Sequence, residues 1–482
     1  VWAPKVTRLA VKAGPDLYPM VRRDDDVFET IVTAPVTDYT YVLVGAKERP
    51  DPVSRWQPYG VHGASRVVDP FDWTDYEWKG IPLEDYIIYE LHVGAFAGTF
   101  KGVIDRLPYL RDLGVTAVEL MPVAEFPGAR NWGYDGVHWY APQSTYGGPE
   151  GLKKLVDACH RHGLAAILDV VYNHLGPEGN YLGDFAPYFS SRYSTPWGDA
   201  INYDGPDSDG VRRHVVDNAL YWQTEYHFDA LRLDAIHGIF DFSAKHILQD
   251  IAEASIGYLI AESDLNDARI FDYGIDAQWN DDFHHALYAL LTGERHDYFA
   301  DFGTLDHLKK AIDVGFVYDG RYSKFRRRRH GNSSARLPKD RLVAFIQNHD
   351  QVGNASIGRR LTGERLKLGT QVLMYAPNLP LLFMGQEYGE TAPFHYFTSH
   401  SDAALAEAVR RGRGPNYPDP QDPATFERSK LTWRVDDEML RFTRELIALR
   451  KTFSNETRVR IEPPRLIVER DGRVLTADFS GD

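Results

Sequence analysis

From Tyr86 onward the chain alternates short apolar runs with helical stretches, and this alternation limits its fold more than any other feature. Residues 87–93, 117–123, 165–172, 228–235, 258–262, 276–279, 342–347 and 379–384 read as eight strands, several apolar enough to be buried on both faces. Helical periodicity over 103–113, 151–162, 211–226, 283–291, 362–375 and 437–451 fills the gaps, with Gly114 and Gly163 closing the first two helices. Strands and helices alternating over about 370 residues predict an α/β fold, a (β/α)₈ TIM barrel spanning 81–452, with a long insertion after the third strand at about 174–210.

The flanks are different. Residues 1–80 hold short alternating segments at 6–12, 27–33 and 39–44 between Gly, Pro and Asp turns, which predicts a small N-terminal β-sandwich that either binds carbohydrate or packs on its neighbour. Residues 453–482 return to β-like segments at 465–468 and 474–479. They are expected to begin a C-terminal β-domain and are too few to complete a sandwich. The start at Val1 without an initiator Met leads us to expect a missing preceding segment.

Active sites of this barrel class gather where the strands end. Here the third strand runs into Asp169-Val-Val-Tyr-Asn-His174, the fourth carries Arg232 and Asp234, the fifth ends in Glu262, and the seventh in Asn348-His-Asp350. Side chains alternate along a strand, so Ala230, Arg232 and Asp234 share one face. A cation two residues from an acid keeps that acid ionised, as a nucleophilic Asp requires; the pair reads equally well as a structural ion pair. Glu262 follows Leu259-Ile-Ala261, an apolar setting that raises a carboxyl pKa.

Converging carboxylates, histidines and an arginine are compatible with a metal site, phosphoryl transfer or glycoside hydrolysis. No His-Glu-x-x-His motif and no Gly-x-x-x-x-Gly-Lys loop is present, and Arg232 would compete with a cation, so neither a metal nor a cofactor is expected. Glycoside hydrolysis needs one ionised and one protonated carboxyl, which Asp234 and Glu262 can supply.

The net charge of −15 argues against a nucleic-acid partner. The run Arg326-Arg-Arg-Arg329 is the local exception, expected as a solvated loop or as ion pairs with the surplus acids. Cys159 is the only cysteine, so no intrachain disulfide can form, and its helical context predicts a core residue. No apolar stretch is long enough to span a membrane and no secretory signal is visible, so no membrane partner and a cytoplasmic location are expected. Oligomeric state leaves no trace in the sequence. Aromatic residues make up 13% of the chain, and Tyr and Trp suit stacking on sugar rings; Trp222, Trp279, Phe394 and Tyr396 are candidates for either cleft or core.

The four motifs Asp169–His174, Arg232–Ala235, Ala261–Ser263 and Asn348–Asp350 resemble, in order and spacing, the four signature regions of the α-amylase superfamily. Within it, the stretches 259–267, 276–285, 346–354 and 383–389 resemble the maltooligosyltrehalose trehalohydrolase (glycosyltrehalose trehalohydrolase) family. The turns after Phe96 and near Asp69 are shorter than that family's usual pattern. The resemblance implies hydrolysis of the α-1,4 bond that joins trehalose to a maltooligosaccharide, and an N-terminal β-sandwich of the glycogen-branching-enzyme type. It implies Asp234 as nucleophile, Glu262 as general acid/base and Asp350 as transition-state stabiliser. Arg232, His174, His349, Tyr134 and His237 are then expected to bind substrate, with Asp169 and Asn173 in support. The alternatives are a 1,4-α-glucan branching enzyme and a non-catalytic glucan-binding protein; the presence of all three carboxylates counts against the second.

Overall fold

The computed structural model describes residues 1–33, 35–454 and 456–480. Eight parallel strands, β1 (Ile88–Leu91), β2 (Ala117–Leu120), β3 (Ala165–Val170), β4 (Ala230–Leu233), β5 (Tyr258–Ala261), β6 (Ala277–Trp279), β7 (Leu342–Phe345) and β8 (Leu379–Phe383), form a closed barrel. Each pairs with its sequence neighbour, and β8 pairs with β1 to close the ring. These are the eight strands predicted from sequence, most of them trimmed at their ends where the chain turns into loops.

Alternation along the strands sorts the barrel interior by depth. Ile88, Ala117, Ile167, Ala230, Ile260, Ala277, Val343 and Leu379 belong to one buried apolar cluster inside the N-terminal half. Two residues on along the same faces stand Glu90, Glu119, Asp169 and Arg232, all buried, with Glu90 beside Glu119 and Asp169 beside Arg232 in register. The interior therefore changes from hydrocarbon to charge in the direction the strands run. Leu91, Val118, Leu168, Leu231 and Leu259, at the alternate positions, join the larger cluster outside the barrel.

Among the helices are α1 (Leu107–Leu113), α2 (Gly148–Arg161), α3 (Asp209–Thr224), α4 (Ile247–Ala254), α5 (Asp281–Thr292), α6 (Gly363–Tyr375) and α7 (Asp437–Arg450). The single helix expected over 103–113 is instead two: Phe100–Ile104, capped by Thr99, and α1, with Pro108 in its first turn. Proline lacks an N–H and clashes in a helix interior, so the chain restarts there. Gly114 ends α1 at φ 100°. No helix is predicted at α4, where His246 with Gln249 supplies the capping box that Ser or Thr usually signals. After β5 stands a 3₁₀ run, Ala268–Tyr273, in place of an α-helix.

Before the barrel, Ala10–Ala13, Asp16–Pro19, Asp38–Leu43, Lys47–Arg49 and Ser65–Arg66 make a five-stranded antiparallel sheet, and Val21–Arg22 pairs with Phe28–Glu29 in a separate ribbon. After it, Thr457–Glu462, Arg465–Arg470 and Arg473–Asp478 form a three-stranded antiparallel sheet. The segment between β3 and α3 carries the short helix Leu182–Phe185 and the hairpin Phe189–Thr195 with Gly198–Ile201. Arg326 forms an ion pair with Asp264 at a hairpin joining Arg321–Ser323 to Arg328–His330. Cys159 is a buried free thiol in α2. Among the described residues no helix is long and apolar enough to cross a membrane.

Candidate active site

Arg232, fully buried on β4, is the hub of the charged end of the barrel. Its Nη1 donates to Asp169 Oδ2 at 2.8 Å and Asp234 Oδ1 at 2.9 Å, and its Nη2 lies 3.3 Å from Glu262 Oε2. One guanidinium thus touches carboxylates from β3, from the end of β4 and from the end of β5. The Trp279 ring lies 4.3 Å beneath it, which makes that indole part of the packed barrel interior. Asn173 Nδ2 donates to the other Asp234 oxygen at 2.7 Å and to the Asp234 carbonyl at 2.9 Å. Both oxygens of Asp234 are therefore held, which fixes the plane of the carboxylate.

Immediately after Asp234 the backbone turns through a left-handed conformation at Ala235, φ 38° and ψ 52°. That turn aims the Ala235 N–H at Glu262 Oε2, 2.6 Å away, while the Ile236 N–H donates to the Glu262 carbonyl at 3.0 Å. Burial pushes the Glu262 carboxyl above its ordinary pKa, Arg232 opposes the shift, and the charges of Asp234 and Asp350 add to it. His237 stands apart, exposed at the rim, where its Nδ1 accepts the Asp264 N–H at 3.2 Å.

Behind these residues lies a buried relay. Burial raises Asp169 to about 7 against the pull of Arg232. The Tyr134 hydroxyl donates to Asp169 Oδ2 at 2.7 Å and sits 2.7 Å from His349 Nε2, with the Tyr134 ring stacked on the imidazole at 25°. On the far side, His349 Nδ1 is 2.5 Å from Glu90 Oε1, and its backbone N–H donates to Glu90 Oε2 at 3.0 Å. Burial pulls the imidazole pKa down, but Asp350 and Glu90 outweigh it and raise the value to about 9. Both ring nitrogens then carry protons, one donated to Glu90 and one to Tyr134. Asp350 itself lies with Oδ2 3.5 Å from His349 Nε2, and its Oδ1 accepts from Asn354 Nδ2 at 2.6 Å. His174 contacts the Tyr134 carbonyl at 2.8 Å and Asn173 Oδ1 at 2.5 Å, and Trp197 stacks on its ring at 3.5 Å. Burial lowers its pKa, with Asp234 opposing.

The structure therefore brings Tyr134, Asp169, Asn173, His174, Arg232, Asp234, Glu262, His349 and Asp350 into one connected group, and leaves His237 at its edge. Among the described residues no group of three or more His, Cys, Asp or Glu side chains could hold a metal ion. Arg232 occupies the position between the carboxylates where a cation would sit.

The sequence profile described as alpha amylase, catalytic domain, matches residues 69–195. The malto-oligosyltrehalose trehalohydrolase of Saccharolobus solfataricus is 48% identical over 475 residues, covering 94% of this chain and 85% of that protein. The chain belongs to the malto-oligosyltrehalose trehalohydrolase family. A Salmonella typhimurium crystal structure that carries an alpha-amylase name superposes with a TM-score of 0.91 at 41% identity, covering 99% of this chain and 90% of that one. The likeness to the 1,4-alpha-glucan branching enzyme GlgB of Nitratidesulfovibrio vulgaris, 36% identical, reaches over only 41% of this chain.

Several residues of this trehalohydrolase-family site escape sequence reasoning. Glu90 and Glu119 are acids at inward positions of otherwise apolar strands, and that parity was the available signal. Glu119 has no hydrogen-bond partner among the described residues, and burial, reinforced by Glu90, pushes its pKa far up. Arg413 donates to Asn354, the residue that holds Asp350, while its guanidinium lies 3.7 Å from the Tyr396 ring; nothing local in the sequence announces this. Trp222 and Phe394 prove to be buried core, and Tyr396 is half-buried.

Proposed function

We propose that this chain hydrolyses the α-1,4 bond joining trehalose to a maltooligosaccharide, by double displacement with retention. Asp234 is the nucleophile, Glu262 the general acid/base and Asp350 the transition-state stabiliser. The observation that carries this reading is the single Arg232 guanidinium shared by Asp234 and Glu262, with Asn173 fixing the second Asp234 oxygen. A shared guanidinium favours the short carboxyl separation of retaining enzymes, about 5–5.5 Å, over the ~6.5–9.5 Å of inverting ones.

In the first step Glu262 gives its proton to the glycosidic oxygen as that bond breaks, and Asp234 bonds to the anomeric carbon, releasing trehalose. The raised Glu262 pKa keeps the proton available for this step. Water, deprotonated by Glu262, then attacks the glycosyl ester and frees the second sugar and Asp234. Arg232, His174, His349, Tyr134 and His237 hold the reacting glucose, and Asp169 and Asn173 support Arg232 and Asp234. We read residues 1–80 as a β-sandwich module, 81–452 as the catalytic barrel and 453–482 as part of a C-terminal β-domain.

A product assay tests the reading. Maltooligosyltrehalose should yield free trehalose, and Asp234→Asn should abolish that yield while oligosaccharide binding remains detectable. New α-1,6 branches in amylose, or an active Asp234→Asn variant, would overturn it.

A further inference from the structure

A large cavity opens at the end of the barrel opposite Asp234. Its volume is about 1220 Å³, and its wall includes Tyr86, Asp229, Tyr258 and Asp276, which precede or begin barrel strands. Pockets for small ligands run to roughly 300–1,000 Å³, so this one has room for more than one sugar ring.

The run Phe71-Asp-Trp-Thr-Asp-Tyr-Glu-Trp78 supplies aromatic plates to this cavity. Trp73 stacks on His227 at 3.8 Å and 16°, and Trp78 on His160 at 4.7 Å and 8°. Asp75 clamps both imidazoles, 2.8 Å from His160 Nδ1 and 2.9 Å from His227 Nδ1. Asp229 accepts from Trp78 Nε1 at 2.7 Å and lies 3.0 Å from His160 Nε2. The indoles are thereby fixed in orientation before any ligand arrives, which lowers the entropic cost of stacking on them. At the rim, Tyr76 is 76% exposed and Ile256 71% exposed, apolar surface left open among the described residues.

The same wall carries polar atoms without partners. Tyr86 Oη, Gln223 Nε2 and Ser255 Oγ are buried and make no hydrogen bond among the described residues. Tyr86 and Gln223 are 1% and 3% exposed; Gln223 Oε1 accepts the Ile256 N–H at 2.8 Å, but its amide nitrogen and the Tyr86 hydroxyl have no compensating hydrogen bond among the described residues. Glu84, Asp75, Asp229 and Asp276 outnumber Lys79 around the cavity, which disfavours an anionic ligand. Aromatic plates for C–H faces, unpaired donors and acceptors for hydroxyls, and a wall hostile to anions together describe a neutral polyhydroxylated ligand.

We propose that this cavity is a second carbohydrate-binding site, which takes a neutral α-glucan segment at the face of the barrel remote from the catalytic residues. The choice of glucan rests on the function proposed above; the preference for a neutral sugar does not. A chain with two such sites would hold one part of a long glucan while the barrel mouth works on another molecule or another end.

The experiment is calorimetric titration of maltoheptaose into the full chain carrying Asp234→Asn, with and without Tyr76→Ala or Ile256→Arg. Both rim residues are exposed, so neither change disturbs the core. We expect each to weaken one binding event by roughly tenfold, the loss of a single aromatic or apolar contact. Trehalose release by the Asp234 chain carrying Tyr76→Ala should remain at the parent rate on a short substrate. Titrations unchanged by both substitutions would overturn the second site. If the Asp234→Asn chain keeps turning over, the catalytic assignment fails instead, and the titration still reports on the cavity.

Discussion

His349 ties its own charge to two acids at once, and that has a consequence for stability. Its folded pKa is raised from 6.5 to about 9, so the charged imidazole contributes stability that is fully present below pH 6.5 and is lost as pH rises through about 9. Asp169 acts in a lower window: its raised value, about 7 against 3.8, gives stability below 3.8 that is gone above about 7. The two windows barely overlap. Melting temperatures of the parent and His349→Gln chains should therefore differ most below pH 6.5 and converge above about pH 9, and a gap that stays constant across that range would dismiss the linkage. At this scale the site was largely legible: Arg232, Asp234 and Glu262 announce themselves because charges are costly inside apolar strands. Arg413 and Asn354 did not, since their link to Asp350 runs through a contact between segments 59 residues apart.

The element that matters most is β4 with the turn that follows it. Alternation puts Arg232 and Asp234 on the inner face, and the left-handed residue Ala235 then reverses the chain so that its N–H meets Glu262. A β-branched residue tolerates φ 38° poorly, so Ala235→Val should cost about 1–2 kcal/mol, lower the melting temperature and reduce kcat by misplacing both carboxyls. An Ala235→Val chain with parent stability and rate would show that the turn does not position the site. Strands were legible because buried parallel strands form apolar runs cut by glycine and polar turns. The hairpin at 189–201 and helix α4 were not: exposed, mixed sequence in the first and an unusual histidine cap in the second carry weak local signals.

At the scale of the whole molecule, the barrel separates two ends of different chemical character. Hydrocarbon fills the N-terminal half of the interior, which isolates the charged mouth from the cavity beneath. The sequence gives this no direct voice, because it depends on eight strands agreeing in register; only the parity of each strand could be read alone. The flanking sheets were visible as short alternating segments, but how they divide was not.

The charge that crowds the mouth also makes the barrel a reservoir of protons. Among the described residues, Glu90, Glu119, Asp169, Asp234 and Glu262 share that interior with only Arg232 and His349 as cations. Glu119, Asp169 and Glu262 are all pushed upward, mainly by burial. A sugar that seals the mouth and expels water deepens that burial, so closure should draw protons in from the buffer. Maltooligosaccharide binding to the Tyr76→Ala chain at pH 7 should then be less exothermic in Tris, which gives up its proton at a high enthalpic cost, than in phosphate. Equal heats in the two buffers would mean that the barrel takes up the sugar without changing its protonation.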